Sequence, residues 1–199
     1  MRYRVKKLLF TTKFMLLLFT TMAQEPLPYA SVPEAEENYS AGAIVSRTID
    51  GLGFRYYWAT EGLTQQDLVF SAADDTRNIL QTLEHILELS KAVRNAVEQR
   101  PNVRPQVSAN YTLEQLRIET LTNLKIASQA YKNASDKAFN NFDVVFKRGE
   151  KTIPFPFWNL VNGQLSDAIY HNGQIVLLRR IAGNPINPKV NVFLGKLNE

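Results

Sequence analysis

Between residues 76 and 98, apolar side chains recur every three or four positions: Ile79, Leu80, Leu83, Ile86, Leu87, Ser90, Val93 and Val97. Only an α-helix gathers those positions on one face, and a stripe that wide must be buried against other elements. The spacing predicts a helix over 76–98, with Asp74 or Asp75 as its cap and Pro101 and Pro105 beyond its end. Three more stretches of similar length follow the same rule. One spans 39–60, with Ser40 as cap, Gly62 as stop and Ile44, Thr48, Gly51, Leu52, Arg55 and Trp58 as its stripe. Another spans 113–136, opened by the capping box Thr112-Leu-Glu-Gln115 and carrying Leu116, Leu121, Leu124, Ile126 and Tyr131. The last runs from Phe157 to the Gly183-Asn-Pro185 stop. Residues 63–75 carry turn residues without helical period and read as a loop. Residues 142–155 hold two β-rich runs around Arg148-Gly149, the pattern of a short hairpin or extended crossover. The expected fold is therefore all-α, a four-helix bundle in one domain at 38–185, with a short extended or β crossover between helices 3 and 4.

The ends of the chain read differently. Residues 1–23 begin with Arg2, Arg4, Lys6 and Lys7, continue through a mostly apolar stretch from Leu8 to Phe19 interrupted by Lys13, and end in Thr21-Met-Ala23. That is the three-part pattern of a secretory signal peptide; the apolar run is shorter than the roughly 20 residues a spanning helix needs. Removing it takes away five basic residues and no acidic ones, so the formal charge of +4 becomes about −1. The basic balance thus belongs to the leader. No Lys/Arg run interleaved with aromatics remains, and no nucleic-acid partner is expected. The expectation is an exported, periplasmic or extracellular protein without a stable membrane span. Residues 24–37, with three prolines and four glutamates, read as an extended N-terminal arm, and residues 186–199 as a tail.

Several chemistries are excluded outright. The chain has no cysteine, so disulfides, thiolate-bound zinc, iron–sulfur clusters, a cysteine nucleophile and a lipoprotein anchor are out. Neither a Gly-rich phosphate loop, a Gly-x-Ser-x-Gly elbow nor a dinucleotide fingerprint is present.

Two histidines remain, His85 in the second helix and His171 in the fourth. Asp167 stands four residues before His171, which sets carboxylate and imidazole one turn apart on one helix face. With His85 facing them, they form a three-point site for zinc, nickel, iron(II) or manganese, with positions open for water or substrate. The plain alternatives are a surface Asp–His hydrogen bond and a satisfied core histidine. Gln164, three before Asp167, and Gln174, three after His171, share that face and can orient a ligand or a bound water. Glu88, three after His85, is a candidate further ligand or general base, or else part of a solvated face. Phe54, Tyr56, Tyr57, Trp58, Phe155, Phe157 and Trp158 either pack the core or line an apolar pocket. Arg179-Arg180 either bind an anionic substrate or complement a helix C-terminus.

The string His171-Asn-Gly-Gln-Ile175 resembles the His-x-Gly-Gln segment of the DinB-like (YfiT-like) superfamily of four-helix metalloenzymes. Thr82-Leu-Glu-His85-Ile, Phe157-Trp-Asn-Leu-Val-Asn-Gly163 and Arg179-Arg-Ile-Ala-Gly-Asn-Pro185 are similar to the segments that accompany it. The resemblance covers most of residues 40–186. It implies a metal held by one ligand from the second helix and two from the fourth. His85 takes the first place and His171 the one before Gly-Gln. The remaining family histidine falls on Asp167, a departure that exchanges an imidazole for a harder carboxylate. The function implied is a metal-dependent hydrolase or thiol transferase acting on a small-molecule substrate, in a protein that pairs as a homodimer. The contrasting expectation is a non-catalytic envelope bundle that binds an apolar ligand or a protein partner.

Overall fold

The computed structural model describes residues 26–105 and 110–199. The expected leader at 1–23 lies outside them. The chain is mostly helical, with two small sheets. Its helices are α1 (Ala41–Thr60), the single turn α2 (Gln65–Leu68), α3 (Ile79–Val97), α4 (Leu113–Lys132), the short α5 (Phe157–Leu160) and α6 (Ser166–Ile181). A 3-10 turn occupies Asp136–Asn141, and a π turn, Val161–Leu165, joins α5 to α6.

Local chemistry accounts for the helix starts. Ser40 accepts the Ala43 amide, and Thr112 and Gln115 close the anticipated capping box. The start of α3 differs from the sequence expectation. Asn78 rather than Asp74 or Asp75 is the cap, paired reciprocally with Gln81, because its side chain alone stands three residues before a donor in the first turn. Within the expected loop at 63–75, α2 forms because Thr64 and Asp67 make a capping box of their own.

The α3 stripe is buried as its spacing requires: Ile79, Leu83, Ile86, Leu87, Ser90 and Val93 all face the core. Of the expected α1 stripe only Leu52 is buried. Ile44 and Thr48 are exposed, and the buried face is Gly42, Ser46, Ile49, Leu52, Gly53, Tyr56 and Ala59. Small residues turn inward because α1 packs closely along α4. A Cβ at Gly42 would sit 2.4 Å from the Tyr131 carbonyl oxygen, so a hydrophobicity pattern alone selects the wrong side. α3 packs on the other flank of α4, and α6 lies against both α3 and α1.

The sheet goes beyond the anticipated hairpin. β2 (Val144–Arg148) and β3 (Lys151–Phe155) pair antiparallel across the turn at Gly149. A third strand, β1 (Asn102–Arg104), joins β2 in parallel, in the order β1-β2-β3. Pro154 sits on the edge strand, where its missing N–H costs no ladder bond. Asn102 fixes β1 by accepting from Asn95 Nδ2 at 3.0 Å and donating to the Val145 carbonyl at 3.1 Å.

Arm and tail are both more structured than expected. Tyr29 is buried against α1, its ring over Gly53 and its hydroxyl donating to Asp50 at 2.9 Å. The tail forms a hairpin of β4 (Val190–Asn191) and β5 (Lys196–Leu197), tied to the arm by Val32 N–H to Gly195 C=O at 2.8 Å. Their polar, proline-rich sequences hid contacts made one residue at a time.

Candidate metal centre

α3 and α6 bring the three expected ligands together. Asp167 and His171 lie one turn apart on α6, and His85 faces them from α3. The Asp167 carboxylate spans both rings: Oδ2 lies 3.2 Å from His85 Nε2, and Oδ1 lies 3.2 Å from His171 Nε2. The ring centroids are 4.6 Å apart, with planes at 82°. One donor atom from each residue falls within 4.8 Å of the other two. A tetrahedral ion with bonds of about 2.0–2.1 Å sets its donors about 3.3 Å apart. The two 3.2 Å separations involve different carboxylate oxygens, so an ion here would be met by both oxygens or by one of them after a small turn of the Asp167 side chain.

Hydrogen positions sharpen this fit. His171 Nδ1 lies 2.6 Å from Gln174 Oε1. With the amide so oriented, Nδ1 carries the hydrogen, and a neutral ring then turns the Nε2 lone pair toward a carboxylate oxygen. Two acceptors facing each other at 3.2 Å call for a proton or a cation between them. A divalent cation satisfies both imidazoles and the carboxylate at once. Gln174 thus contacts His171, as the i, i+3 spacing anticipates. Burial is the main cause that holds the His85 imidazole below its ordinary value, against the raising effect of the Asp167 hydrogen bond, with Arg77 and His171 adding to the depression. A ring disposed to stay neutral is a ready ligand.

The centre is accessible on two sides. Side-chain exposure is 11% for His171, 30% for His85 and 41% for Asp167. His171 and Gln174 open onto a groove of about 390 Å³ shared with Ala72, Thr76, Arg77, Leu177 and Leu178. Asp167 opens onto a shallower surface with Gln164, Asn162 and Tyr170. The Gln164 Oε1 is buried and lacks a hydrogen-bond partner among the described residues, so it is an acceptor still available to a water or ligand.

Glu88 stands apart from this group. Its carboxylate is held by Lys91 at 3.1 Å and lies 3.7 Å from Arg104 Nη1, and Lys91 in turn donates to the Tyr111 hydroxyl. Glu88 thus belongs to an ion-pair network outside the His85, Asp167 and His171 group, and its Oε2 is buried without a hydrogen-bond partner among the described residues. Arg179 is likewise committed elsewhere. It is 2% exposed and donates to the carbonyls of Trp58, Ala59, Glu61 and Asn184. It satisfies the C-terminal end of α1 and cannot reach a substrate; Arg180 is exposed.

Among the aromatics, Phe54 and Tyr56 are core, and Phe157 joins a ring cluster with Tyr131 and Phe139. Tyr57 and Trp58 are half-buried, while Phe155 and Trp158 are exposed. None of these lines the groove beside His171. The groove residues that the sequence did not single out are Ala72, Thr76, Arg77, Leu177 and Leu178. Ala72 falls in the expected loop, and Thr76 and Arg77 at the expected start of the helix, which instead begins at Ile79; nothing in the sequence marks them as groove residues. The chain matches no family model, and comparison with curated proteins finds no match.

Proposed function

We propose that the protein is an exported, divalent-metal-binding four-helix bundle of the DinB-like kind. Its four rods are α1, α3, α4 and the α5–α6 segment, and His85, Asp167 and His171 are its metal ligands. The observation that carries this reading is the spanning of both imidazoles by one carboxylate at 3.2 Å. A divalent ion held there supplies Lewis acidity that draws the pKa of a water or thiol toward neutrality. The chain's own groups do the remaining work. Gln174 holds the His171 tautomer, Gln164 offers an acceptor, and the groove beside His171 receives a small substrate. The reaction class that follows is metal-dependent hydrolysis or group transfer, with thiol transfer as one form. Low-molecular-weight thiols are kept in the reducing cytosol, so export weighs toward water as the nucleophile.

The test is metal content by elemental analysis after incubation with zinc, nickel or manganese followed by dialysis. One ion per chain is expected for the wild type, and a sharp fall in His85→Ala and His171→Ala with the circular dichroism spectrum unchanged. A wild type that stays metal-free supports the second reading, a non-catalytic helical module that binds an apolar ligand or partner. That reading draws on exposed apolar side chains of α5 and α6, namely Trp158, Tyr170, Leu177 and Ile181.

A further inference from the structure

Arg77 is the charge in this groove that neither the fold nor the proposed centre uses. It is exposed immediately before the Asn78 cap of α3, in the wall that also holds His171 and Gln174. Among the described residues no ion pair or hydrogen bond engages its guanidinium. Other nearby cations are committed: Lys91 and Arg104 face Glu88, and Arg179 is spent on backbone carbonyls. Asp167 is occupied by the two imidazoles. The start of α3 offers little in Arg77's place, because the Ile79 amide donates to the Phe70 carbonyl and the Gln81 amide to Asn78 Oδ1. An unpaired guanidinium beside a proposed cation site is free to attract negative charge from outside. Its fork of parallel N–H groups fits a carboxylate better than it fits a spherical anion. Ala72, Leu177 and Leu178 add apolar lining to the same groove, and about 390 Å³ suits a small molecule.

We propose that Arg77 is the carboxylate-binding residue of the metal groove, and that the substrate is a small carboxylate-bearing molecule whose metal-ligating head lies at His85, Asp167 and His171. This rests on the metal reading above and adds the substrate class to it. The acid group is gripped at the rim, an alkyl body lies along Leu177 and Leu178, and the reactive head reaches the centre. Arg77 positions the substrate and takes no part in bond making.

Calorimetric titration of the zinc-loaded protein with two thiols that differ in one end group separates these claims. We expect 3-mercaptopropionate to bind about tenfold more tightly than 2-mercaptoethanol, the low end of what a charge-assisted hydrogen bond contributes at an exposed site. Arg77→Gln should erase that preference while zinc uptake stays at one per chain. Arg77→Lys should retain part of it, keeping the charge but losing the fork. Equal affinities in the wild type, or a preference that survives Arg77→Gln, would overturn the proposal and leave the metal reading standing. Failure of the wild type to take up zinc would overturn both.

Discussion

At the scale of single residues, the proposed centre rests on the 2.6 Å contact between His171 Nδ1 and Gln174 Oε1: with Nδ1 as the donor, Nε2 would be free to ligate a metal. Replacing Gln174 with Leu removes that contact and should weaken zinc binding by about 10–100-fold, the usual cost of losing a group that orients a ligand; competition with a chromophoric chelator reads it. Asp167 offers the complementary test. Asp167→His installs a third imidazole and should shift preference from manganese toward zinc and nickel, while Asp167→Ala should lose uptake of all three. Acid should act in one direction. His85 binds its proton less readily in the folded chain than its ordinary value of 6.5 implies, chiefly because it is partly buried. The unfolded chain therefore takes up protons first, and this stabilising contribution is present above that value and fades as pH falls below it. Metal-free wild type should lose more Tm between pH 7 and pH 5 than His85→Gln does. Equal losses would show that His85 carries no such linkage.

At the scale of elements, α6 has two duties. One turn presents Asp167 and His171 to α3, and its last turn carries Arg179 into the end of α1. Arg179→Met would leave several buried carbonyls without donors and should cost about 3 kcal/mol. It would appear as a lower urea midpoint at unchanged slope, with zinc stoichiometry retained. What the sequence discloses divides along the same physical line. The α3 stripe is legible because large aliphatic side chains mark its buried face, and His85 falls beside them. The i, i+4 relation of Asp167 and His171 is legible because helix geometry alone makes them neighbours. The inward face of α1 is only partly legible, because Gly42, Ser46 and Gly53 alternate on it with Ile49, Leu52 and Tyr56, and the small residues leave the apolar stripe broken. Strand β1 is not legible, because its three residues gain their partner forty residues later through Asn102. Arg77 is equally silent, since an exposed arginine before a cap acquires meaning only from the groove that α6 completes. The π turn at Val161–Leu165 interrupts a segment whose composition reads as one continuous helix. Such turns often lie beside functional sites, and this one ends two residues before Asp167.

At the scale of the whole molecule, arm and tail clasp each other over α1. A Cβ at Gly53 would sit 2.5 Å from the Tyr29 ring. Gly53→Val should therefore displace the arm and destabilise the protein by about 1–3 kcal/mol, visible as faster proteolysis near residue 30. None of the described helices is long and apolar enough to cross a membrane. Export remains a proposal that mass spectrometry of the native protein decides: a mature chain beginning at Gln24 is expected, and retention of residues 1–23 would contradict it. Pairing is also a proposal, motivated by Tyr170, Leu177 and Ile181 on the outer side of α6. Light scattering should give twice the single-chain mass, and a mass near that of one chain would remove it. The centre itself is tested most directly by anomalous diffraction from a zinc-soaked crystal. The account predicts one strong peak within about 2.0–2.1 Å of His85 Nε2, His171 Nε2 and an Asp167 oxygen. A peak elsewhere, or none at those three atoms, would contradict it.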